Sequence, residues 1–545
     1  MATSYLSPGV YDTEQDKTFY VKSEKSNAGA YAMLARWGAV NVGIEVSDEE
    51  DLVHRFFAPD TNTNKYHLAA ADYLSYVSPL VVVRATGAQS KNAVPTEYAS
   101  TKENVSDVRI LNEMAYEAFN AQKGLTFFGK WVGELANGIK VSIANKTAFT
   151  NWEYKDYFQF EPYEDLVAVA VVDTLGTISG IKNYVLETYE LVSFVPGAKK
   201  YDNTTAYIKD ILQYQSKYLF AGNLDATILK SGKYETTLTA GKDDYTNPDF
   251  ITALNVLKDD ENIDFMRVFT SFYTQEAIIA ASDVCKFRED AICFRSPPLE
   301  TVFNTLTPEE NVVRYFDTTL NNQSTYAFND DNWKQVFDKF NGVTVWIPCC
   351  SSTAGLHGRS IATSEAWYSP AGFNRGQLNN YIKLAWSANK TQRDKLYKSC
   401  INSVVSFKGE GVVLFGDKMA WKQPTAFDRI NVRTLFVILR KAISRSSRRF
   451  LFENNTFLTR KLFASATELY LTSIKNQGGL YDFRVICDER NNTPDVIDRN
   501  EFVGDIFLKP VKSINFIVLR FTAVNTGASF EEFIQNGDST STINQ

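Results

Sequence analysis

Residues 427–521 carry the most regular patterning in the chain, and they constrain its fold more than any other stretch. In FDRINVRTLFVILRKAISRSSRRF, Val432, Leu435, Phe436, Leu439 and Ile443 recur at helical spacing on one face. Arg433, Arg440 and Ser444 lie on another. A second helix aligns Phe463, Ala466, Tyr470 and Ile474, and Gly478 is placed to end it as a C-cap. Strand patterning over 481–487, 502–508 and 514–521 predicts three strands. Nothing in the segment resembles an active site, so it reads as a module that packs and is packed against.

At 545 residues the chain is long enough for two to four domains with their own cores. A hydrophobic share of 44% and a charged share of 22% are ordinary for a soluble globular protein. Aromatics reach 14%, which suits sheets and large contact surfaces. The net charge of -7 argues against nucleic-acid binding as the main task. No apolar run has the length of a membrane span, and residues 1–20 lack the order of a secretion signal. The six cysteines, at 285, 293, 349, 350, 400 and 487, show no CxxC spacing and read as reduced, mostly buried thiols.

Taken in order, residues 1–18 carry a Ser-Pro-Gly turn and one short aromatic patch; composition alone makes them a frayed end. Residues 29–46 have strand character, 48–57 and 66–77 helical character, and LVVVRA at 80–85 is a buried strand. The polar stretch 87–106 reads as a linker or domain crossing. Strands are predicted at 139–143, 166–172 and 181–194, the last two as a hairpin, with a helix at 207–214. From Ile263 the order strand, helix, strand, with VTVWIPC at 343–349, suggests an α/β layer with some parallel pairing. Helices are expected at 308–320, 377–386 and 391–398.

The search for chemistry returns little. Three histidines, His54, His67 and His357, make no multi-histidine metal site, and none has zinc spacing. His357 lies near Ser351, Ser352 and Ser360, but no G-x-S-x-G elbow accompanies it. GELANGIK at 133–140 fails as a phosphate loop: Ile139 separates the second glycine from Lys140, and a strand follows instead of a helix. Asp488, Glu489, Asp495 and Asp498 flank Asn-Asn-Thr-Pro, which reads as a turn. The cluster Lys441, Arg445, Arg448 and Arg449 favours a helix C-terminus, and its excess suits docking onto an acidic protein surface.

Several segments together resemble the tail sheath proteins of contractile-tailed bacteriophages, in their T-even-like branch. They are SPGVY at 7–11, SPPLETV at 296–302, SPAGFNRGQ at 369–377, RDKLYKSCIN at 393–402, FDRINVRTLF at 427–436, LFENNTFLTR at 451–460, CDERNNTPDVIDRNEF at 487–502 and SINFIVLRF at 513–521. The likeness is dense after Ser296 and thin between 87 and 245. Two departures stand out. A protruding domain of the T-even-like branch is reduced here to the short stretch 87–106, and Thr434 stands where the family tends to have a second Arg.

The resemblance implies an α/β and α+β multidomain protein: a mixed-sheet core domain, an inserted β-rich domain, and a C-terminal α+β sheath domain completed by the N-terminal arm. The expected boundaries are an arm at 1–23, a discontinuous middle domain at 24–90 and 235–398, an inserted outer domain at 91–234, an inner sheath domain at 399–525 and a second arm at 526–545. It implies a structural subunit, not an enzyme, that needs no cofactor or metal. The subunit is expected to form sixfold rings stacked helically around a tail tube and to contract, driving the tube through the host envelope. Tube, baseplate and tail terminator proteins are the expected partners, with no direct nucleic acid and no membrane insertion. Its expected place is the virion, after assembly in the host cytoplasm. Strand donation between subunits falls to Ser7, Pro8, Gly9, Val10, Tyr11, Phe530 and Phe533, which reverses the frayed-end reading. Tube-facing candidates are Arg433, Arg440, Arg445, Arg460 and Lys461. A sheath of a related contractile injection system is the alternative; an α/β enzyme built on 263–350 is the alternative of another class.

Overall fold

The computed structural model describes residues 28–100, 108–224, 228 and 232–515. A six-stranded sheet forms the body, in the order Ala327–Asn329, Ile292–Arg295, Arg267–Phe269, Gly29–Leu34, Leu80–Ala85, Gly43–Val46. The first five strands run parallel and the last is antiparallel to its neighbour. Gly29–Leu34 and Leu80–Ala85 are buried at every position, as strands covered on both faces must be. Two helix pairs pack with it: Asn64–Leu74 with the helix Cys350–Thr363, here α1, and Phe250–Val256 with Gln275–Arg288. The first pair crosses closely because α1 carries glycine where it meets its neighbour. A Cβ at Gly355 would lie 2.7 Å from the Tyr76 ring, and one at Gly358 would lie 2.4 Å from Val77.

The N-terminus of α1 gathers buried polar groups from distant parts of the chain. One Asp72 carboxylate oxygen accepts from Ser351 Oγ at 2.8 Å and Ser352 Oγ at 2.7 Å. The other accepts from Lys334 Nζ at 2.6 Å, and both charged side chains are buried. The positive end of the helix favours a carboxylate there. Ser296 Oγ accepts from Cys350 N at 2.8 Å and donates to Asp330, whose carboxyl is pushed far above the usual range by burial. Next to it Asp331 accepts from Val404 N at 2.8 Å, and burial pushes its carboxyl up to about 7.

His357, two turns along α1, is a structural group. Its Nδ1 accepts from Arg267 Nε at 3.0 Å, and its Nε2 lies 2.8 Å from Thr434 Oγ1. Thr434 Oγ1 already donates to Ile430 O, so Nε2 carries the imidazole proton. Burial, reinforced by the Arg267 charge, holds the ring neutral.

The β-rich part is an antiparallel sheet ordered Val94–Pro95, Lys233–Thr239, Ile139–Asn145, Val167–Asp173, Tyr184–Val192. The expected hairpin is its last pair. Stretch 87–106 is not all linker: Val94–Pro95 forms an edge strand, where a proline is tolerated, and Thr96–Ser100 is helical. Its residues 101–107 lie outside those described. Arg84, at the end of a body strand, ties the two sheets together. Its guanidinium donates to Ala35 O and Gly38 O at 2.8 Å each and to Val132 O at 2.9 Å, beside Asp243 at 3.5 Å. Asp243 in turn accepts from Glu134 N at 3.0 Å. Gly133 has φ +134, and a Cβ there would sit 2.7 Å from the Asp243 carboxylate. GELANGIK is thus a joint between sheets.

Two local expectations are overturned. Residues 377–386 form no helix, because their backbone groups are taken by strands elsewhere. Leu378 N donates to Val412 O, Ile382 N to Gln335 O and Ala385 N to Trp333 O, leaving a short strand, Lys383–Leu384. Val343–Pro348 joins no parallel sheet; it pairs antiparallel with Trp333–Asp338. The segment 308–320 is helical throughout, as expected: α over Pro308–Arg314 and π over Tyr315–Leu320. All six cysteines are buried and unbridged.

Removing Lys334 leaves Asp72 charged and buried, so Lys334→Ala should destabilise the chain by about 3–5 kcal/mol in urea unfolding. A loss below about 1 kcal/mol would mean that water reaches the site. Asp331 makes a pH prediction. The unfolded carboxyl releases its proton near pH 3.9, roughly, and the folded one keeps it to about 7. The folded chain binds more protons across that window, so the residue's contribution to stability declines as pH rises through it. Asp331→Asn should therefore gain on the wild type from acid pH up to neutrality and then level off; parallel stability curves would refute this.

Candidate assembly surface

Four elements build the C-terminal layer: helices α2 (Ile430–Ser447) and α3 (Phe457–Asn476), and strands β1 (Leu480–Ile486) and β2 (Asp505–Pro510). Leu435 and Leu439 of α2 pack against Tyr470, Leu471 and Ile474 of α3 and Leu480 of β1. Thr456 caps α3, its side chain accepting from Thr459 N. Gly478, at φ +83, ends it: Gly478 N donates to Lys475 O and Gly479 N to Ile474 O, the Schellman pattern. Between β1 and β2, Asn492 is buried; its Nδ2 donates to Val503 O at 2.8 Å and its Oδ1 accepts from Val503 N at 2.9 Å. Asp488 accepts from the Arg490 guanidinium, which holds its carboxyl down to about 2. The Asn-Asn-Thr-Pro segment is a turn, and its acids make no catalytic pair.

Strands β1 and β2 pair antiparallel, and neither has another partner among the described residues. Of the three strands expected, the third, 514–521, lies mostly outside those residues. Beside β2 runs an apolar groove of about 430 Å³, lined by Phe436 and Ile443 of α2, Phe463 of α3, Phe502, and Ile506 and Leu508 of β2. No residue of β1 lines it, so it follows the unpaired side of β2. Ile506 and Leu508 face it, while Asp505, Phe507 and Lys509 are exposed. Phe436 and Ile443, predicted to face a core, are only half-buried. A strand laid against β2 would cover them. The expected strand donors Ser7, Pro8, Gly9, Val10, Tyr11, Phe530 and Phe533 lie outside the described residues.

The five basic candidates separate. Arg433 is buried between the rings of Tyr326 and Phe427, at 4.2 and 3.9 Å, and donates to Thr325 O. Arg460 is also buried and donates to Asn455 Oδ1 at 2.8 Å. Neither presents charge on the surface of the isolated chain. Helical periodicity assigned Arg433 to a polar face, but that face packs on the body, where Val437 and Ile438 meet Met266 and Ile361. Arg440 and Arg445 reach the surface as part of a ladder. Arg440 pairs with Glu289, Lys441 with Asp264 at 2.7 Å and Asp290 at 3.3 Å, and Arg445 with Asp264 at 2.7 Å. Burial would raise the Asp264 carboxyl, yet Lys441 and Arg445 hold it below its ordinary value. Lys441 and Arg445, two of the four cations in that cluster, thus find acidic partners within the chain itself. Lys461 alone of the five is exposed with no carboxylate partner among the described residues, beside exposed Leu458 and Leu462. No sequence signal marked those leucines as outward-facing, because α3 carries apolar residues on both sides.

Among the described residues no group of acids, cysteines and histidines could hold a metal ion, and no helix is long and apolar enough to cross a membrane. Comparison with known proteins identifies the family. Residues 422–523, which contain the whole layer, match the phage tail sheath C-terminal domain, and 243–419 match the phage tail sheath protein central domain. The chain is 32% identical to the tail sheath protein of Salmonella phage ViI, over 98% of this chain and 99% of that one. It is 31% identical to the tail sheath protein of Enterobacteria phage T4, over 97% and 99%. In fold it is similar to the sheath tail protein of Listeria innocua (TM-score 0.56, 11% identity, 91% and 94% covered). It is also similar to the sheath of an extracellular contractile injection system, PVC, in the contracted state (0.53, 13%, 96% and 98%). With sequence relationship along nearly the full length of two tail sheath proteins, and with their fold class, this chain belongs to the phage tail sheath family, whose members are structural proteins of the virion and not enzymes.

Proposed function

We propose that the chain polymerises as sixfold rings stacked into a helical sheath around a tail tube, and that contraction of this sheath drives the tube through the host envelope. The observation that carries the reading is the two-stranded sheet β1–β2, whose β2 edge has no partner among the described residues and runs beside an apolar groove. Two strands are marginal alone, and an exposed edge is a template for a third. Residues 7–11 of one neighbour, or the segment around Phe530 and Phe533 of another, supply that strand. Main-chain hydrogen bonds hold the copies together while rigid bodies turn, so rings reorganise without separating. The solved sheath of the PVC system, described in a contracted state, supports contraction as the working motion. The extended sheath is a metastable assembly behind a kinetic barrier, and its release needs no nucleotide.

Five regions take distinct parts in this scheme. The arm 1–23 and the arm 526–545 link copies, 399–525 is the inner domain, 24–90 with 235–398 the middle domain, and 91–234 the outer one. The six-stranded body and the β-rich sheet support that division, since almost every strand of each falls within the assigned segments. Lys461, with Arg440 and Arg445 at their accessible edges, faces the tube; Arg433 and Arg460 hold the helices that carry them. Tube, baseplate and terminator proteins are the partners, and assembly takes place in the host cytoplasm. The sequence relatives are phage proteins, which favours a phage tail over an injection system.

Deleting residues 1–18 should leave a folded monomer, with unchanged circular dichroism and melting temperature, that forms no sheath in electron micrographs. Long sheaths from the truncated chain would remove strand donation by this arm. In the same assay Lys461→Glu should lower assembly on purified tubes without altering monomer stability; wild-type yields would take Lys461 off the tube-facing surface.

A further inference from the structure

Away from the C-terminal layer, the last turns of α1 and the loop of the SPAGFNRGQ segment enclose a second pocket, of about 310 Å³. Nothing in the scheme above uses it. Its wall carries Arg359, Ser360 and Thr363 of α1, Arg375 of the loop, and three side-chain amides, with no acidic residue. Arg359 Nη2 donates to Arg375 O at 3.0 Å and Gln377 O at 2.9 Å, which fixes the loop; its guanidinium lies 5.2 Å from the centre of the Tyr76 ring, and Nε and Nη1 make no hydrogen bond among the described residues. Arg375 donates from Nε to Ser369 O at 2.8 Å, leaving both of its Nη groups. Neither guanidinium has a carboxylate within ion-pair distance among the described residues. Ser360 is 2% exposed, and its Oγ has no hydrogen-bond partner there. A buried hydroxyl without a partner among the described residues, in a pocket with two guanidinium groups that face no carboxylate there, is a donor site awaiting an acceptor.

We infer that this pocket binds an oxyanion, and that its occupant is a carboxylate side chain of a second copy of the chain. The negative end of α1 lies at the same place and repels an anion with roughly half a charge, which two full guanidinium charges outweigh. Two features select a protein carboxylate over a free phosphate. Next to the pocket residues in sequence, Tyr368 and Phe373 are exposed, at 45% and 43%, and Arg375 stacks on the Tyr368 ring at 5.0 Å. Exposed aromatics beside an arginine are the residue types that anchor protein interfaces. The chain also carries 64 acidic against 57 basic residues, so its copies offer carboxylates in excess.

This inference rests on polymerisation of the chain, and the test separates the two. In the full-length protein, Arg375→Gln should leave the monomer's melting temperature unchanged and raise the critical concentration for polymerisation at least tenfold, with Arg375→Lys intermediate. Inorganic phosphate should inhibit wild-type polymerisation more than chloride at equal ionic strength and should lose that advantage in Arg375→Gln. A cryo-electron map of the wild-type polymer, which depends on no variant folding, should show a neighbour's Asp or Glu within hydrogen-bond distance of Arg375. A pocket open to solvent in that map, or one filled by a free anion alone, overturns the inference while leaving the sheath reading intact. A wild-type chain that never polymerises overturns both.

Discussion

The buried ion pair of Asp72 and Lys334 is the interaction on which the rest of the body depends. Its partners lie 262 residues apart in sequence. Asp72 sits on a helix near the start of the body, Lys334 on an antiparallel strand far downstream, and the hydroxyls that complete the site open α1. Such a pair adds little net stability over apolar packing, but it penalises every arrangement in which one member is missing. It selects one docking of three segments. Asp330, Ser296 and Cys350 N repeat the device alongside, with a carboxyl that burial keeps protonated in place of a cation.

From α1 the order passes to the C-terminal layer through His357 and Thr434. Thr434 meets the buried imidazole with a neutral hydroxyl, where an arginine would set a second guanidinium across the ring from Arg267. The hydroxyl accepts from Nε2 and donates to its own helix, so no charge is introduced. Further along α2 the contact to the body becomes ionic, through Arg440, Lys441 and Arg445. The C-terminal layer is thus bound to the body on one side, while on the other β2 has no second partner among the described residues. That asymmetry suits a part meant to move with its own body and to bind other copies.

How much of this was legible in the sequence follows from the range of the forces involved. Helices α2 and α3, β1 and β2, and the strand at 80–85 all announce themselves through local periodicity, because each buries a face continuous along the chain. Residues 377–386 did not, since their backbone partners at 333–335 and 412 are fixed only by tertiary structure. Arg433 looked like a surface charge because periodicity locates a face without saying what covers it. Asp72, Lys334 and Arg84 left no signal at all: a buried charge is recognisable only through partners far away in sequence. The motif resemblance supplied the family where local physics stopped, and the groove beside β2 was found only in three dimensions.

Arg84 has a consequence for motion. Its side chain spans the boundary between the six-stranded body and the β-rich sheet, giving hydrogen bonds to carbonyls at Ala35, Gly38 and Val132. Swinging one sheet against the other would strip a guanidinium of Val132 O and part it from the Asp243 carboxylate, in a site closed to water. Hinging at this point is therefore costly, so any rotation of the body would carry the β-rich sheet with it, over a path set by its distance from the axis of turning.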